Sequence, residues 1–357
     1  MVIRLLKSIL FLGVLLLAAT TAFSKNLKLE ESLRADFAAG NLNGLHGALV
    51  IKDGNTLAEV YFEGIDQKWG VPLGRREHTA ETLHDLRSVT KSIVGLLYGI
   101  ALFEGLVPGL DECLVCQFPQ YQDLIDDPER QKILVRHALT MQMGTKWNEN
   151  LPYSNPQNSE IAMEISPDRY RFVLDRPLVQ DPGQTWIYNG GATAVIAHLI
   201  ARGAGKPLDI YAKEKLFDPL GIDEFEWIKG SNREPSAASG LRMKPHDLAK
   251  IGELLLKEGH YNGQQIVPSD WIKSSLSAHT TSEEDLRYGY FWWLAPQGDP
   301  PLWAAGFGNG GQRLFINKGL GLVIVIFTGN YNMPASWELP NRVILEVVIP
   351  TVLQALE

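Results

Sequence analysis

Cysteine is nearly absent. The 357-residue chain has two, Cys113 and Cys116, which excludes a disulfide-rich scaffold and a four-cysteine zinc site. Clustered positive charge is missing too: 33 Lys and Arg face 41 Asp and Glu, a net charge of −8. No run of Lys or Arg supplies the basic stripe that nucleic-acid binding requires. Past the first two dozen residues no apolar run is long enough to span a bilayer. There is no internal repeat, no H-E-x-x-H and no G-x-S-x-G elbow, and His78 and His84 lack the close spacing of a metal motif. Gly306–Gly311 fits G-x-G-x-x-G, but a strand-like run follows where a dinucleotide fingerprint needs a helix. Neither a metal site nor a bound cofactor is expected.

What remains is an ordinary globular balance, 45% apolar and 21% charged, behind a distinctive leader. Arg4 and Lys7 precede the apolar stretch Ile9–Ala19, and Ala22 and Ser24 place small residues at −3 and −1 before Lys25. This reads as a cleaved signal peptide over residues 1–24. The apolar run is shorter than the roughly 20 residues of a membrane span. An exported protein follows, periplasmic or secreted, with no stable membrane insertion.

Residues 25–357 read as one unit of α/β (α+β) class. A helix is predicted from Leu27 to Ala39. Gly47–Lys52 and Leu57–Phe62 are strand-like and joined by Asp53-Gly54-Asn55, a hairpin signal. Gln312–Asn317 and Leu322–Phe327 mirror them near the C-terminus, followed by a helical stretch, Asn341–Gln354, that Pro350 should interrupt. Helical patterns dominate between, over Ser88–Phe103, Gly191–Ala201, Leu208–Leu216, His246–Lys257 and Ser269–Leu276. The simplest assembly is an antiparallel sheet built from both termini and flanked by helices. A mainly helical insertion over roughly 88–260 would leave a ligand cleft beside it.

Ser88-Val89-Thr90-Lys91 is the candidate chemistry. The bare S-x-x-K pattern is expected roughly once by chance, but here it opens a long apolar helix. Residues three apart share a helix face, so the Lys91 amine can reach the Ser88 hydroxyl. Free N–H groups at the helix start can support an oxyanion. An apolar setting should lower the lysine pKa and let a neutral amine take the serine proton. The local alternative is a capping serine beside an ordinary lysine. Further on, Tyr188 stands in a turn before another helix, where a phenol can relay protons or simply pack as a half-buried aromatic.

Taken with the Gly-rich segment at Gly308–Gln312, these residues resemble the serine β-lactamase and penicillin-binding-protein superfamily. The nearest likeness is to its class C β-lactamase-related branch of esterases and 6-aminohexanoate-dimer hydrolases. Leu134–Met141, Leu216–Ile222 and Gly240–Asp247 add to the likeness, which runs from about Leu45 to Thr351. It implies a β-lactamase-like fold, Ser88 as the acylated nucleophile, and Lys91 and Tyr188 as its proton-transfer partners. It also implies an oxyanion hole from the backbone of Ser88 and a strand-edge residue near Asn309. Gly308 and Gly190 join Asn309 as candidate oxyanion or substrate-binding positions.

Two departures bear on substrate. The family's Y-x-N becomes Tyr188-Asn189-Gly190, without the third amide side chain. Its K-T-G or H-x-G becomes Gly306-Phe307-Gly308, without a cation for a carboxylate. Both favour a small ester or linear amide as the partner. The alternatives are a penicillin-binding protein, D-alanyl-D-alanine carboxypeptidase or β-lactamase acting on peptidoglycan or β-lactams, and a non-catalytic binding protein. Tyr288, Tyr290, Trp292, Trp293 and Trp303 could wall an acyl pocket, although strand alternation of the first three suits core packing equally. Export makes Cys113 and Cys116 a candidate local disulfide. No heptad or apolar surface stripe signals an oligomeric state.

Overall fold

A computed structural model describes residues 28–282 and 285–355; the expected signal peptide lies outside them. Alternating apolar residues build the sheet. Its strands are β1 (Leu45–Lys52), β2 (Asn55–Tyr61), β3 (Thr280–Thr281), β4 (Arg287–Tyr288), β5 (Trp293–Leu294), β6 (Ala304–Gly308), β7 (Gln312–Asn317) and β8 (Leu322–Thr328). All pair antiparallel, in the order β3-β4-β5-β6-β7-β8-β1-β2. The two chain ends therefore meet at β1 and β8, where Val50 faces Ile324 and Ala48 faces Ile326. The sheet built from both termini is present as expected.

A period of two puts successive side chains on opposite faces, and both faces are buried. Leu49, Ile51, Leu314, Val323 and Val325 point into the large helical layer. Ala48, Val50, Phe315, Ile324 and Ile326 point to the other side, where the terminal helices cover them. One is α1, spanning 28–38, whose Leu29 and Leu33 are fully buried. The other runs from Glu338 to Gln354 and brings Val343, Ile344, Val347 and Val348 onto the sheet. Pro350 does not interrupt it. Proline lacks the N–H of a normal helical turn and its ring crowds the preceding carbonyls, and here the turn before it widens to a π-helix, Arg342–Val348.

The helical layer centres on α2 (Val89–Phe103), which is buried from Val89 to Ala101. Between 88 and 260 the helices are not one uniform insertion. α2 and a later helix, α4 (Pro245–Leu256), lie on the sheet, and α3 (Gly190–Ala204) packs on the far side of α2. The expected strand through Tyr288–Trp292 is broken: Phe291 takes a left-handed φ of 60°. Tyr288, Tyr290 and Trp292 are all buried in the core, while Trp293 is left half-exposed. Cys113 and Cys116 form a disulfide in the loop after α2.

Ile324 lies in a central strand with no exposed surface. Ile324→Ala should lower unfolding stability by about 2–5 kcal/mol, measured by urea denaturation at unchanged m-value.

Candidate active site

The chain reaches Ser88 through a forced turn. His84–Asp85 is extended and pairs with Leu241–Met243, and Arg87 then takes a left-handed φ of 50° before α2 begins. Such a conformation costs a non-glycine residue of order 1 kcal/mol or more and concentrates at functional sites. It leaves Ser88 as the residue capping α2, with its side chain making no cap hydrogen bond. The capping alternative is thereby set aside.

One helical turn on, the Lys91 Nζ donates to Ser88 Oγ at 2.9 Å and to the Ala238 carbonyl at 2.9 Å. It stands 4.9 Å from the centre of the Tyr188 ring. Lys91 and Ser88 both act on the Tyr188 phenol, pulling it toward the phenolate. Asn189 fixes it there: its side chain accepts the Ala192 N–H at 3.0 Å and starts α3 directly after the tyrosine. Ser88, Lys91 and Tyr188, distant in sequence, form one cluster.

Lys91 is almost wholly buried, and burial alone pulls its ammonium toward the neutral amine. The Tyr188 oxygen and the carboxylates of Glu160 and Glu149 outweigh that pull, so its pKa lies above the ordinary lysine value. The expectation of a lowered lysine pKa is therefore reversed. An apolar helix reads as a dry setting, but two acids arrive from segments some sixty residues later. Glu160 Oε2 is 3.6 Å from Nζ, and Glu160 Oε1 accepts from Ser239 at 2.6 Å. Glu149 Oε1 accepts from Trp147 Nε1 at 2.6 Å and from the Gly190 N–H at 2.5 Å. Burial, and then the neighbouring Glu160, push the Glu149 carboxyl up to about 7. Burial likewise holds the Tyr188 phenol above its usual value, against the pull of Lys91.

Gly190 consequently has a different place from the one expected. It does not line the cavity. A Cβ there would lie 2.8 Å from Glu160 Oε2 and 3.0 Å from Glu149 Oε1. Where the Y-x-N pattern supplies an amide, this chain leaves room for two carboxylates.

Gly308 and Asn309 line the same cavity as Ser88. Gly308 brings the end of β6 against the Leu86 carbonyl, which a Cβ would meet at 2.4 Å, so Asn309 sits across from Ser88. The Asn309 side chain is held by the Asn332 N–H at 3.1 Å. Among the described residues, the backbone N–H groups of Ser88 and Asn309 make no hydrogen bond, as an oxyanion hole requires.

Ser88 opens onto two cavities. One, of about 330 Å³, is walled by Trp147, Trp186, Tyr188, Trp293 and Phe307. The other, of about 250 Å³, includes Gln67, Arg87, Ser239 and Asn332. Of the aromatics proposed for an acyl pocket, only Trp293 reaches the first cavity. Trp303 lines a neighbouring one beyond Phe307. The missing third-motif cation leaves Gly306 packed on Val89 and Ser92.

Comparison with known proteins then decides the family. The beta-lactamase family pattern matches residues 35–349. The chain belongs to the beta-lactamase family. Its family and its relatives support a serine hydrolase. An uncharacterized protein of Alkalihalophilus pseudofirmus is 25% identical over 267 residues, 69% of each chain. The 6-aminohexanoate-dimer hydrolase of Paenarthrobacter ureafaciens is 23% identical over 303 residues, 78% of this chain and 70% of that protein. The structure of EstCE1, a hydrolase with promiscuous acyltransferase activity, shares the fold with a TM-score of 0.70 at 17% identity. That match covers 92% of this chain and 98% of EstCE1.

Sequence reasoning missed Glu149 and Glu160, which belong to no motif. The one available signal was Gly190, since a missing side chain in the turn before a helix leaves space for another group.

Glu149 gives the site a pH signature. Below about pH 7 it is protonated and above that it is charged. A rise of kcat/KM through that pH is expected, lost from the profile of Glu149→Gln. Because the folded chain holds this proton more tightly than the unfolded chain, stability should fall as pH climbs from the ordinary glutamate value toward 7. The Tm of Glu149→Gln should fall less over that interval. An unchanged acid limb in Glu149→Gln would assign it to another group.

Proposed function

We propose that this enzyme hydrolyses a small ester or linear amide through an acyl-enzyme on Ser88. The observation that carries the reading is the Lys91–Ser88 hydrogen bond of 2.9 Å, with Tyr188 beside it, at the junction of two cavities.

Ser88 Oγ attacks the carbonyl carbon while its proton passes to the Lys91–Tyr188 pair. The Lys91 ammonium stabilises Tyr188 as a phenolate, and the phenolate oxygen takes this proton. The N–H groups of Ser88 and Asn309 receive the oxyanion. Collapse breaks the bond to the alcohol or amine, which leaves with the proton returned through Tyr188. Water then attacks the acyl-enzyme by the same route, and the acid departs with Ser88 restored.

The aromatic cavity suits an apolar acyl or alcohol group, and its modest volume suits a small one. Gly306 in place of a cation gives a β-lactam or D-alanyl carboxylate little to grip on that strand. Export is part of the reading, supported by the leader at residues 1–24 and by the Cys113–Cys116 disulfide, which suits an oxidising compartment.

A screen of p-nitrophenyl esters, a chromogenic cephalosporin and linear amide dimers tests substrate class. Turnover should be highest on short-chain esters or linear amides and fall at least about 10³-fold in Ser88→Ala. Tyr188→Phe should lose about 10²–10⁴-fold. Mass spectrometry should place a fluorophosphonate adduct on Ser88. Equal labelling of Ser88→Ala would remove the mechanism, and a long-lived penicillin adduct with no ester turnover would favour a penicillin-binding role. N-terminal sequencing of the secreted protein should begin at Lys25.

A further inference from the structure

His78 and His84 carry no metal motif in sequence, yet the fold gathers them with two residues from other segments. His46 comes from β1 and Asp66 from the hairpin Gly64–Lys68/Val71–Arg76. His84 belongs to the short strand leading to Ser88. All four residues are buried, none exposing more than 6% of its surface. One ligating atom from each lies within 4.8 Å of the others.

The proton inventory of this cluster does not close. His78 Nδ1 is 2.9 Å from the Phe62 carbonyl, and His84 Nδ1 is 3.1 Å from the Asp85 carbonyl. A carbonyl only accepts, so each neutral ring keeps its hydrogen on Nδ1 and turns a bare Nε2 inward. Both Nε2 atoms face the Asp66 carboxylate, at 3.5 Å for His78 and 3.7 Å for His84. His84 Nε2 also stands 2.9 Å from His46 Nδ1.

His46 thus has two tautomers. With hydrogen on Nδ1 it can donate to His84, but its buried Nε2 then has no partner. With hydrogen on Nε2, two lone pairs meet at 2.9 Å. His78 Nε2 and Asp66 Oδ2 are also buried without a hydrogen-bond partner. Burying that many unmet polar atoms is costly. Nearby compensation is slight. The Tyr331 hydroxyl donates to Asp66 Oδ1 at 3.3 Å, and the Arg76 guanidinium reaches only 4.0 Å from Oδ2 with its side chain 40% exposed.

The geometry points to a structural divalent-cation site held by His46, Asp66, His78 and His84, with zinc as the fitting ion. Three neutral imidazoles and one carboxylate are the nitrogen and oxygen donors zinc takes in a closed, four-ligand site. The Nδ1–carbonyl bonds of His78 and His84 are the outer contacts that orient metal-binding histidines. Donors around one tetrahedral zinc stand roughly 3.3 Å apart, so closure from the present spacing takes side-chain shifts of about 1 Å. The bound ion would tie β1, the Asp66 hairpin and the strand before Ser88 into one unit. Trp69 of that hairpin lines the second cavity at Ser88, and its N–H is held by Asp85 at 2.7 Å.

The test uses the full chain without a histidine tag, stripped with a chelator and dialysed against zinc. Elemental analysis should find one zinc per chain, with a higher Tm than the stripped protein. Cobalt in its place should give the intense visible bands of a tetrahedral site. Asp66→Asn and His84→Gln should each weaken zinc binding at least about 10-fold. If a variant fails to fold, X-ray absorption of the zinc-loaded wild-type chain decides, with three imidazoles and one carboxylate in the first shell expected. No retained zinc, an octahedral cobalt spectrum, or undiminished binding in folded Asp66→Asn/His84→Gln overturns the assignment. Because metal content and spectra are read without substrate, failure here leaves the Ser88 reading intact.

Discussion

A single buried ammonium sets the terms for everything around it. Lys91 lies inside the protein on α2, and a buried charge persists only where opposite charge and hydrogen bonds replace water. Ala238 and Ser88 take two of its hydrogens, and Glu160 supplies the countercharge. Glu160 is itself fixed by Ser239, and the space it occupies exists because residue 190 has no side chain. Remove the lysine charge and this set of acids and hydroxyls loses its reason to converge.

That network also explains where sequence reading succeeded and where it failed. β7 runs from Gln312 to Asn317 as read, because its alternation is imposed by two buried faces. Ser88, Lys91 and Tyr188 were legible because each stands at a helix start whose signals are local. The direction of the Lys91 shift was not, since its acids come from Glu149 and Glu160, far along the chain. Local apolarity predicts desolvation and says nothing of a partner folded in from elsewhere. Tyr288–Trp292 failed for the converse reason: the left-handed Phe291 breaks an alternation that its residue types invite. The histidine cluster was invisible because its members meet only through strand pairing and a hairpin.

The two cavities at Ser88 share recognition between them rather than relying on a single charged clamp. Aromatic rings from Trp147, Trp186, Trp293 and Phe307 bound one side, with Arg87 and amides on the other. Arg87 is steadied by Asp85 at 3.1 Å and by the Tyr331 ring. The residue that strains the backbone before the nucleophile is thus also the cation nearest to it in the chain.

The meeting of β1 with β8 has a consequence for how the molecule comes into being. Val50 and Ile324 are neighbours in the sheet but lie some 270 residues apart along the chain. Closing so long a loop is entropically slow, and sheets with distant partners fold late. During synthesis the first strand must wait, apolar and unpaired, until nearly the whole chain has been made. The active-site helix, laid across that sheet, gains its floor only when the last strand arrives, so the hydrolase is assembled from its ends inward.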